Sequence, residues 1–152
     1  MTNRPRTVRG FTLIEMLIVV VLVGILAAIA LPSYFQYVQR SKIIEATTGL
    51  SNYRTQMEQY FLDNRTYVGG CVKFHDAVQA QVKAFTIADC TPTEGAAVYT
   101  LTATGNPADG MDTAFVYTVD QNDTKATTSM PTGWSVPSPN DCWATRKDGT
   151  CG

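Results

Sequence analysis

The spacing of hydrophobic residues divides the chain into parts that predict different structures. Residues 11–31 are apolar almost without interruption, and Glu15 is the one charged residue among them. About 20 residues of helix cross a hydrocarbon layer ~30 Å thick, so this stretch is long enough to span a membrane. An unpaired carboxylate in such a span costs about 2.5 to 3.5 kcal/mol, and we therefore expect Glu15 to have a partner.

The apolar residues that follow Pro32 recur at intervals of three and four, which places them on one face of a helix. They are Ile43, Ala46, Leu50, Tyr53, Met57 and Tyr60. Stop signals follow in the polar pair 63–64 and in the glycine pair 69–70. We therefore predict one long helix from Phe11 to about Asp63, whose second half buries one face.

The period changes again in the second half of the chain, where apolar residues alternate with polar or β-branched ones. This alternation predicts strands over 98–104 and 114–120, with a loop over 105–110 between them. A third strand is expected over 125–129, after a turn, and a short fourth one near Trp143. A long helix packed on an antiparallel sheet of three or four strands is an α+β arrangement.

The connection between the helix and the sheet, residues 67–97, has a weaker pattern. Val78, Val82 and Phe85 hint at a short helix inside it. Connections of this kind run over the surface of a domain, where binding residues are often found.

Four cysteines, all beyond the apolar stretch, predict two disulfides in an oxidising compartment. They are Cys71, Cys90, Cys142 and Cys151. Three pairings are possible, and the sequence does not choose among them; the local pairing of the first two and the last two is favoured because each closes a short loop. A zinc site is not expected, because no two cysteines are two to four residues apart and His75 is the only histidine.

The start of the apolar stretch carries a specific motif. Gly10 and Phe11 are followed by Thr-Leu-Ile and then Glu15, with arginines before the motif and the apolar run after it. This combination resembles the processing site of type IV prepilins and the related pseudopilins. The resemblance implies that a prepilin peptidase cuts after Gly10, that the new amino terminus at Phe11 is methylated, and that Glu15 pairs with the terminal ammonium of a neighbouring subunit during assembly. The alternative is an uncleaved signal anchor with Glu15 at the lipid headgroups.

The resemblance also implies a division of the chain into three segments: a cleaved leader over 1–10, a transmembrane and filament-core helix over 11–32, and an exported pilin domain over 33–152. Three arginines in the leader, Arg4, Arg6 and Arg9, favour a cytoplasmic amino end. Removal of the leader leaves 9 basic and 13 acidic residues, a side-chain charge of −4. Such a charge argues against a broad DNA-coating surface.

Gly24 and Pro32 weaken the predicted helix. Proline lacks the amide that would bond to the carbonyl of Ala28, and glycine lowers helix preference by about 1 kcal/mol. The resemblance implies that the segment between them softens or loses its helix in an assembled pilus, whereas a simple kink would need no function. The cysteine pair nearest the carboxyl end resembles the disulfide loop common in type IV pilins.

Catalytic chemistry is not expected. His75 has no convincing nucleophile near it in the sequence, and no glycine loop could cradle a phosphate. Four aspartates raise the question of calcium, but their spacing does not match a calcium loop and fits solvated turns better. They are Asp109, Asp112, Asp120 and Asp123. We expect neither enzyme activity nor a cofactor or metal.

The predicted function is therefore the one that the resemblance implies: a structural subunit that polymerises into a type IV pilus for adhesion, twitching motility or DNA uptake. The implied partners are further copies of the chain, other pilins, prepilin peptidase and the pilus assembly machinery of the bacterial inner membrane, where the precursor resides before it enters the extracellular pilus. The alternatives are a pseudopilin of a type II secretion system and a minor or DNA-receptor pilin. Arg146 and Lys147 form a small basic tip that could touch phosphates, although such pairs are commonplace.

Overall fold

A computed structural model describes residues 11–91 and 93–152 and divides the chain into two compact units at the boundary between Tyr37 and Val38. The described residues of the first unit form the first part of one long helix, preceded by Phe11 and Thr12. The second unit contains the rest of that helix, a short second helix and a sheet, and it holds the hydrophobic core. In chain order the elements are α1 (Leu13–Asn64), α2 (Gly70–Gln79), β1 (Phe85–Ile87), β2 (Thr100–Gly105), β3 (Val116–Asp120) and β4 (Lys125–Ser129).

The second half of α1 buries the face that the sequence predicts. Its buried residues are Ile43, Ala46, Gly49, Leu50, Tyr53 and Met57, whereas Tyr60 is half-buried. Gly49 is buried although the sequence pattern did not predict it, and packing requires a glycine at this position. A Cβ at Gly49 would collide with Cγ2 of Val82, so the close approach of the segment after α2 depends on the missing side chain.

The four strands form one antiparallel sheet in the order β1-β2-β3-β4. Leu101 pairs with Val119, and Ala103 pairs with Tyr117, so these four buried side chains lie on the sheet face that meets α1. Their alternation with half-exposed residues fixes the register, because a shift by one residue would expose all of them. The predicted α+β class is confirmed, with the core between α1 and the sheet.

Two details differ from the sequence prediction. The fourth strand is β1, at the edge of the sheet beside β2, while the chain near Trp143 forms one isolated bridge between Ala144 and Cys151. The short helix α2 begins and ends earlier than the Val78, Val82 and Phe85 pattern indicates, and Phe85 lies in β1. A strand of three residues is too short to show an alternation that separates it from a helix.

Candidate functional site

The amino-terminal part of α1 exposes a long apolar surface. Leu13, Ile18 and Leu22 are each more than half exposed, and the most apolar 18-residue window of the helix, with a mean hydropathy of 3.0, contains no buried residue. By length and composition this helix could cross a membrane, although a signal sequence near an amino terminus meets the same test. Among the described residues of its own unit, residues 11–37, nothing covers this surface.

Glu15 takes part in a capping box at the start of α1. The Thr12 hydroxyl accepts a hydrogen bond from the backbone N–H of Glu15 at 3.3 Å, and a carboxylate oxygen of Glu15 accepts one from the N–H of Thr12 at 3.5 Å. This reciprocal arrangement satisfies two amides that the helix leaves without partners. The spacing Thr-x-x-Glu is a recognisable signal that the sequence prediction missed.

The remaining residues predicted to act in assembly lie before the helix or within it. Gly10 lies outside the described residues. Phe11 is 80% exposed, just before the helix. Gly24 and Pro32 both lie within the continuous helix α1, and an added Cβ at Gly24 would touch nothing within 4 Å. Packing among the residues that the structure describes therefore does not explain Gly24, and the softening of this segment stays a prediction.

Charged side chains of α1 hold the loops of the second unit against the helix. Lys42 donates to the carbonyl of Asp109, and Glu45 accepts from the amides of Lys83 and Ala84. These contacts join parts of the chain that are 38 to 67 residues apart in sequence. They fix the position of the surface loops relative to the helix.

Glu58 joins α1 to two tyrosines of the core. The hydroxyl of Tyr67 donates to its carboxylate at 3.1 Å, and the hydroxyl of Tyr99 donates at 2.8 Å. Burial, and then the neighbouring Glu58, raises the pKa of both tyrosines. Both hydroxyls therefore stay protonated at neutral pH and act as hydrogen-bond donors, which is a structural role.

The cysteines form two local disulfides, Cys71 with Cys90 and Cys142 with Cys151. The first is buried and lies beside Tyr53, whose hydroxyl donates to the carbonyl of Cys71 at 3.1 Å. It ties the start of α2 to the loop that follows β1.

The second disulfide closes a loop whose inner side is hydrogen-bonded to the sheet. The hydroxyl of Thr127, in β4, donates to the carbonyl of Cys142 at 2.9 Å and accepts from the amide of Ala144. The hydroxyl of Tyr117 donates to the carbonyl of Ala144 at 2.9 Å. The outer side of the loop carries Arg146 and Lys147, both exposed, so the basic tip faces solvent on a fixed support.

The histidine considered for catalysis or metal binding is hydrogen-bonded to groups close to it. His75 lies between the carboxylate of Asp76, at 2.9 Å from Nδ1, and the carbonyl of Ile87, at 3.0 Å from Nε2. Among residues 11–91 and 93–152, no group of three or more histidine, cysteine or acidic side chains is arranged to hold a metal.

The four aspartates considered for calcium lie in two parts of the chain, Asp109 and Asp112 between β2 and β3, and Asp120 and Asp123 at the turn between β3 and β4. Asp109 accepts from the Asn106 side chain, and Asp112 accepts from the amide of Ala114. Asp120 accepts from two amides of the turn after β3, and Asp123 lies 3.5 Å from the guanidinium of Arg54.

Comparisons with known proteins give consistent results. Residues 32–129 match the model of a family described as type IV minor pilin ComP, DNA uptake sequence receptor, and residues 5–31 match the prokaryotic N-terminal methylation motif. A fimbrial protein of Neisseria meningitidis is 36% identical over 75 residues, which are 49% of this chain and 44% of that protein. The type IV major pilin protein PilA of Myxococcus xanthus is 48% identical over 63 residues, 41% of this chain and 28% of that protein.

These matches thus span less than half the length of either relative. Among solved structures, the non-core minor pilin PilV of Neisseria meningitidis has a TM-score of 0.46 and 22% identity, with 67% of this chain and 96% of that chain covered.

Proposed function

This chain belongs to the ComP family of type IV minor pilins, and from that premise we propose that it is a structural subunit of a type IV pilus. The observation that carries the proposal is the apolar surface of α1 before Pro32, which none of the unit's described residues covers. Lipid covers this surface in the precursor, and the same surface of neighbouring subunits covers it in the filament. The work of such a subunit is mechanical and adhesive, and it requires no catalytic group.

In this proposal the precursor resides in the inner membrane with residues 1–10 in the cytoplasm and residues 33–152 on the exported side. Prepilin peptidase removes the leader after Gly10, and Phe11 becomes the methylated amino terminus. The assembly machinery of the inner membrane then inserts the 11–32 helix beside other pilins, and the subunit enters the extracellular pilus.

Intact-mass analysis of sheared filaments tests this processing. We expect a chain that begins at Phe11 with one added methyl group and two disulfides. A chain that retains the leader in assembled fibres would contradict the proposal, and it would favour an uncleaved signal anchor.

Glu15 has a specific part in this assembly. Within the filament its carboxylate pairs with the ammonium of Phe11 in a neighbouring subunit, because two opposite charges attract strongly in a low-dielectric layer. Gly24 and Pro32 let the helix between them unwind where subunits pack, since both lower its stability. Hydrogen exchange of filaments against detergent-solubilised subunits would measure this, with faster exchange at 24–32 in filaments as the expected result.

A pseudopilin of a type II secretion system remains the structural alternative, since pseudopilins share the processing motif. The docked carboxy-terminal disulfide loop favours a pilus. Deletion of the gene separates the two functions: loss of surface pili or of a pilus-dependent behaviour supports the pilin, whereas a block in the secretion of folded proteins with pili intact supports the pseudopilin.

DNA binding is a second candidate function, and the description of the ComP family as a DNA uptake sequence receptor favours it. With a side-chain charge of −4 after processing, the chain would have to bind phosphates at a local basic site and not over its whole surface. Arg146 and Lys147 offer such a site, because the disulfide loop holds them exposed on a fixed support.

Fluorescence anisotropy with labelled duplex DNA over a series of salt concentrations tests this function. Replacement of Arg146 and Lys147 by alanine should weaken binding. It should also make the negative slope of log K against log salt less steep, by about 0.9 for each lost phosphate contact. Arg65 and Lys83, replaced together by alanine, form the control with the same loss of charge. Equal weakening in both double variants would indicate that net charge alone matters, and no binding by the parent chain would exclude the function.

A further inference from the structure

The sequence contains the triplet Asn-x-Thr twice, at Asn64 and at Asn122. In exported proteins this triplet is the acceptor for N-linked glycans, and the acceptor asparagine must lie on an accessible surface loop. Neither site takes part in the assembly or binding functions described above. The structure gives the two asparagines different surroundings.

Asn64 is the last residue of α1 and its side chain is engaged. Its Nδ2 donates to the carbonyl of Tyr60, one turn earlier in the helix, at 2.9 Å. Attachment of a sugar to Nδ2 would require this contact to be released. Asn64 is therefore a poor acceptor.

Asn122 is exposed in the turn between β3 and β4, outside the paired residues, which end at Val119 with Lys125. Its backbone N–H donates to Oδ1 of Asp120 at 2.9 Å, and the same oxygen accepts from the N–H of Thr124 at 2.8 Å. Within residues 11–91 and 93–152, the Asn122 carboxamide forms no hydrogen bond. The acceptor nitrogen is thus free while its backbone is held.

The middle residue of this triplet is attached to the body of the domain. The carboxylate of Asp123 lies 3.5 Å from Nε of Arg54 and 3.6 Å from Nζ of Lys125. Its φ angle of 60° lies in the left-handed region, which aspartate adopts more readily than most residues. Asp120 also places a carboxylate two residues before Asn122, and a basic group of an enzyme can bind this carboxylate. The corresponding residue before Asn64 is Leu62, which has no charge.

We propose that Asn122 accepts an N-linked glycan on the exported side, an inference that rests on the proposed function because it requires export. The donor is an oligosaccharide linked to a lipid pyrophosphate. A bond forms between Nδ2 of Asn122 and the anomeric carbon, the bond from that carbon to the phosphate oxygen breaks, and the lipid pyrophosphate leaves with the electron pair. The amide proton passes to a basic group of the transferase. The glycan would stand on the outer end of the β3–β4 hairpin.

Mass spectrometry of the full chain, purified from the bacterium that produces it, tests this proposal. Trypsin releases residues 84–125, which contain Asn122, separately from residues 55–65, which contain Asn64. We expect a glycan mass on the first peptide and none on the second. Asn122→Gln and Thr124→Ala should each abolish the modification, whereas Thr124→Ser and Asn64→Gln should leave it unchanged.

The variants also separate the competing outcomes. A glycan that survives Asn122→Gln but is lost with Thr124→Ala would be linked to the threonine oxygen, and it would overturn the proposal. An unmodified 84–125 peptide in protein whose Cys71 and Cys90 are joined would overturn the glycan and leave export intact. Free cysteine thiols together with an unmodified peptide would overturn both proposals.

Discussion

Removal of the carboxy-terminal disulfide should lower the stability of the domain that contains it without unfolding the disulfide loop. The perturbation is the replacement of Cys142 and Cys151, nine positions apart, by serine. The chain-entropy relation for a loop of this size gives about 2.7 kcal/mol at 25 °C, because the oxidised unfolded chain has less freedom to lose on folding.

The hydrogen bonds that join the loop to the sheet support this reasoning. Thr127 holds the loop through its contacts with Cys142 and Ala144, and Tyr117 holds it from the neighbouring strand. These contacts do not depend on the sulfur–sulfur bond. The reduced loop should therefore remain docked, and the loss of stability should come chiefly from the unfolded state.

Thermal unfolding of the fragment that begins at Ser33, followed by circular dichroism, measures the effect. Unfolding entropy is about 2.1 cal/mol/K per residue, so a loss of 2.7 kcal/mol in a domain of this size should lower Tm by roughly 11 °C. The control replaces Cys71 and Cys90, 19 positions apart, by serine. This longer loop gives about 3.3 kcal/mol by the same relation, and the change also buries two hydroxyls in the core, so its Tm should fall further.

Two results would refute the reasoning. An unchanged Tm without the Cys142–Cys151 bond would mean that the bond does not restrict the unfolded chain. A larger fall for this pair than for the Cys71–Cys90 pair would mean that the loop collapses when reduced, and that the disulfide is what docks it.

Three further outcomes are expected. Glu15→Ala should leave membrane insertion intact but lower the yield of sheared filaments, and a normal yield of methylated fibres would contradict the intersubunit pair. The hydrogen bond to Asp76 raises the pKa of His75 above its ordinary value. The contribution of His75 to stability is therefore fully present below the ordinary pKa and should be lost as pH rises through the raised pKa. Urea unfolding between pH 5.5 and 9 should show this fall in stability, and His75→Gln should flatten it. Gly49→Ala should cost about 1 to 3 kcal/mol in the same urea assay through its collision with Val82, and unaltered stability would show that Val82 moves aside.

The parts of the fold that are visible in the sequence are those in which one period persists over several turns or residues. The buried face of α1 was predictable because its apolar residues recur from Ile43 to Met57 without a break. The strand β4 was predictable to its last residue, because a turn precedes it and a proline follows shortly after. Gly49 was not, since nothing in the sequence indicates that Val82 approaches it.

Contacts between distant parts of the chain could not be predicted. Glu58 meets Tyr99, which is 41 residues away, only because the sheet folds back on the helix. The strand β1 carries too few residues to show a period. In the candidate site, by contrast, the partnership of Thr12 with Glu15 follows a known spacing, and a search for capping boxes would have found it.

The stability of the capping box determines when Glu15 can exchange Thr12 for a charged partner. A helix cap contributes about 0.5 to 2 kcal/mol, and the long hydrogen bonds to Thr12 belong at the lower end of that range. An unpaired charge in the hydrocarbon costs about 2.5 to 3.5 kcal/mol, which the cap alone does not offset. An ammonium 4 Å away contributes about 4 kcal/mol at an effective dielectric constant near 20. In the assembly that we propose, the cap is therefore sufficient while Glu15 lies near the headgroups in a single subunit, and a charged partner becomes the more stable choice when Glu15 enters the apolar core of the filament.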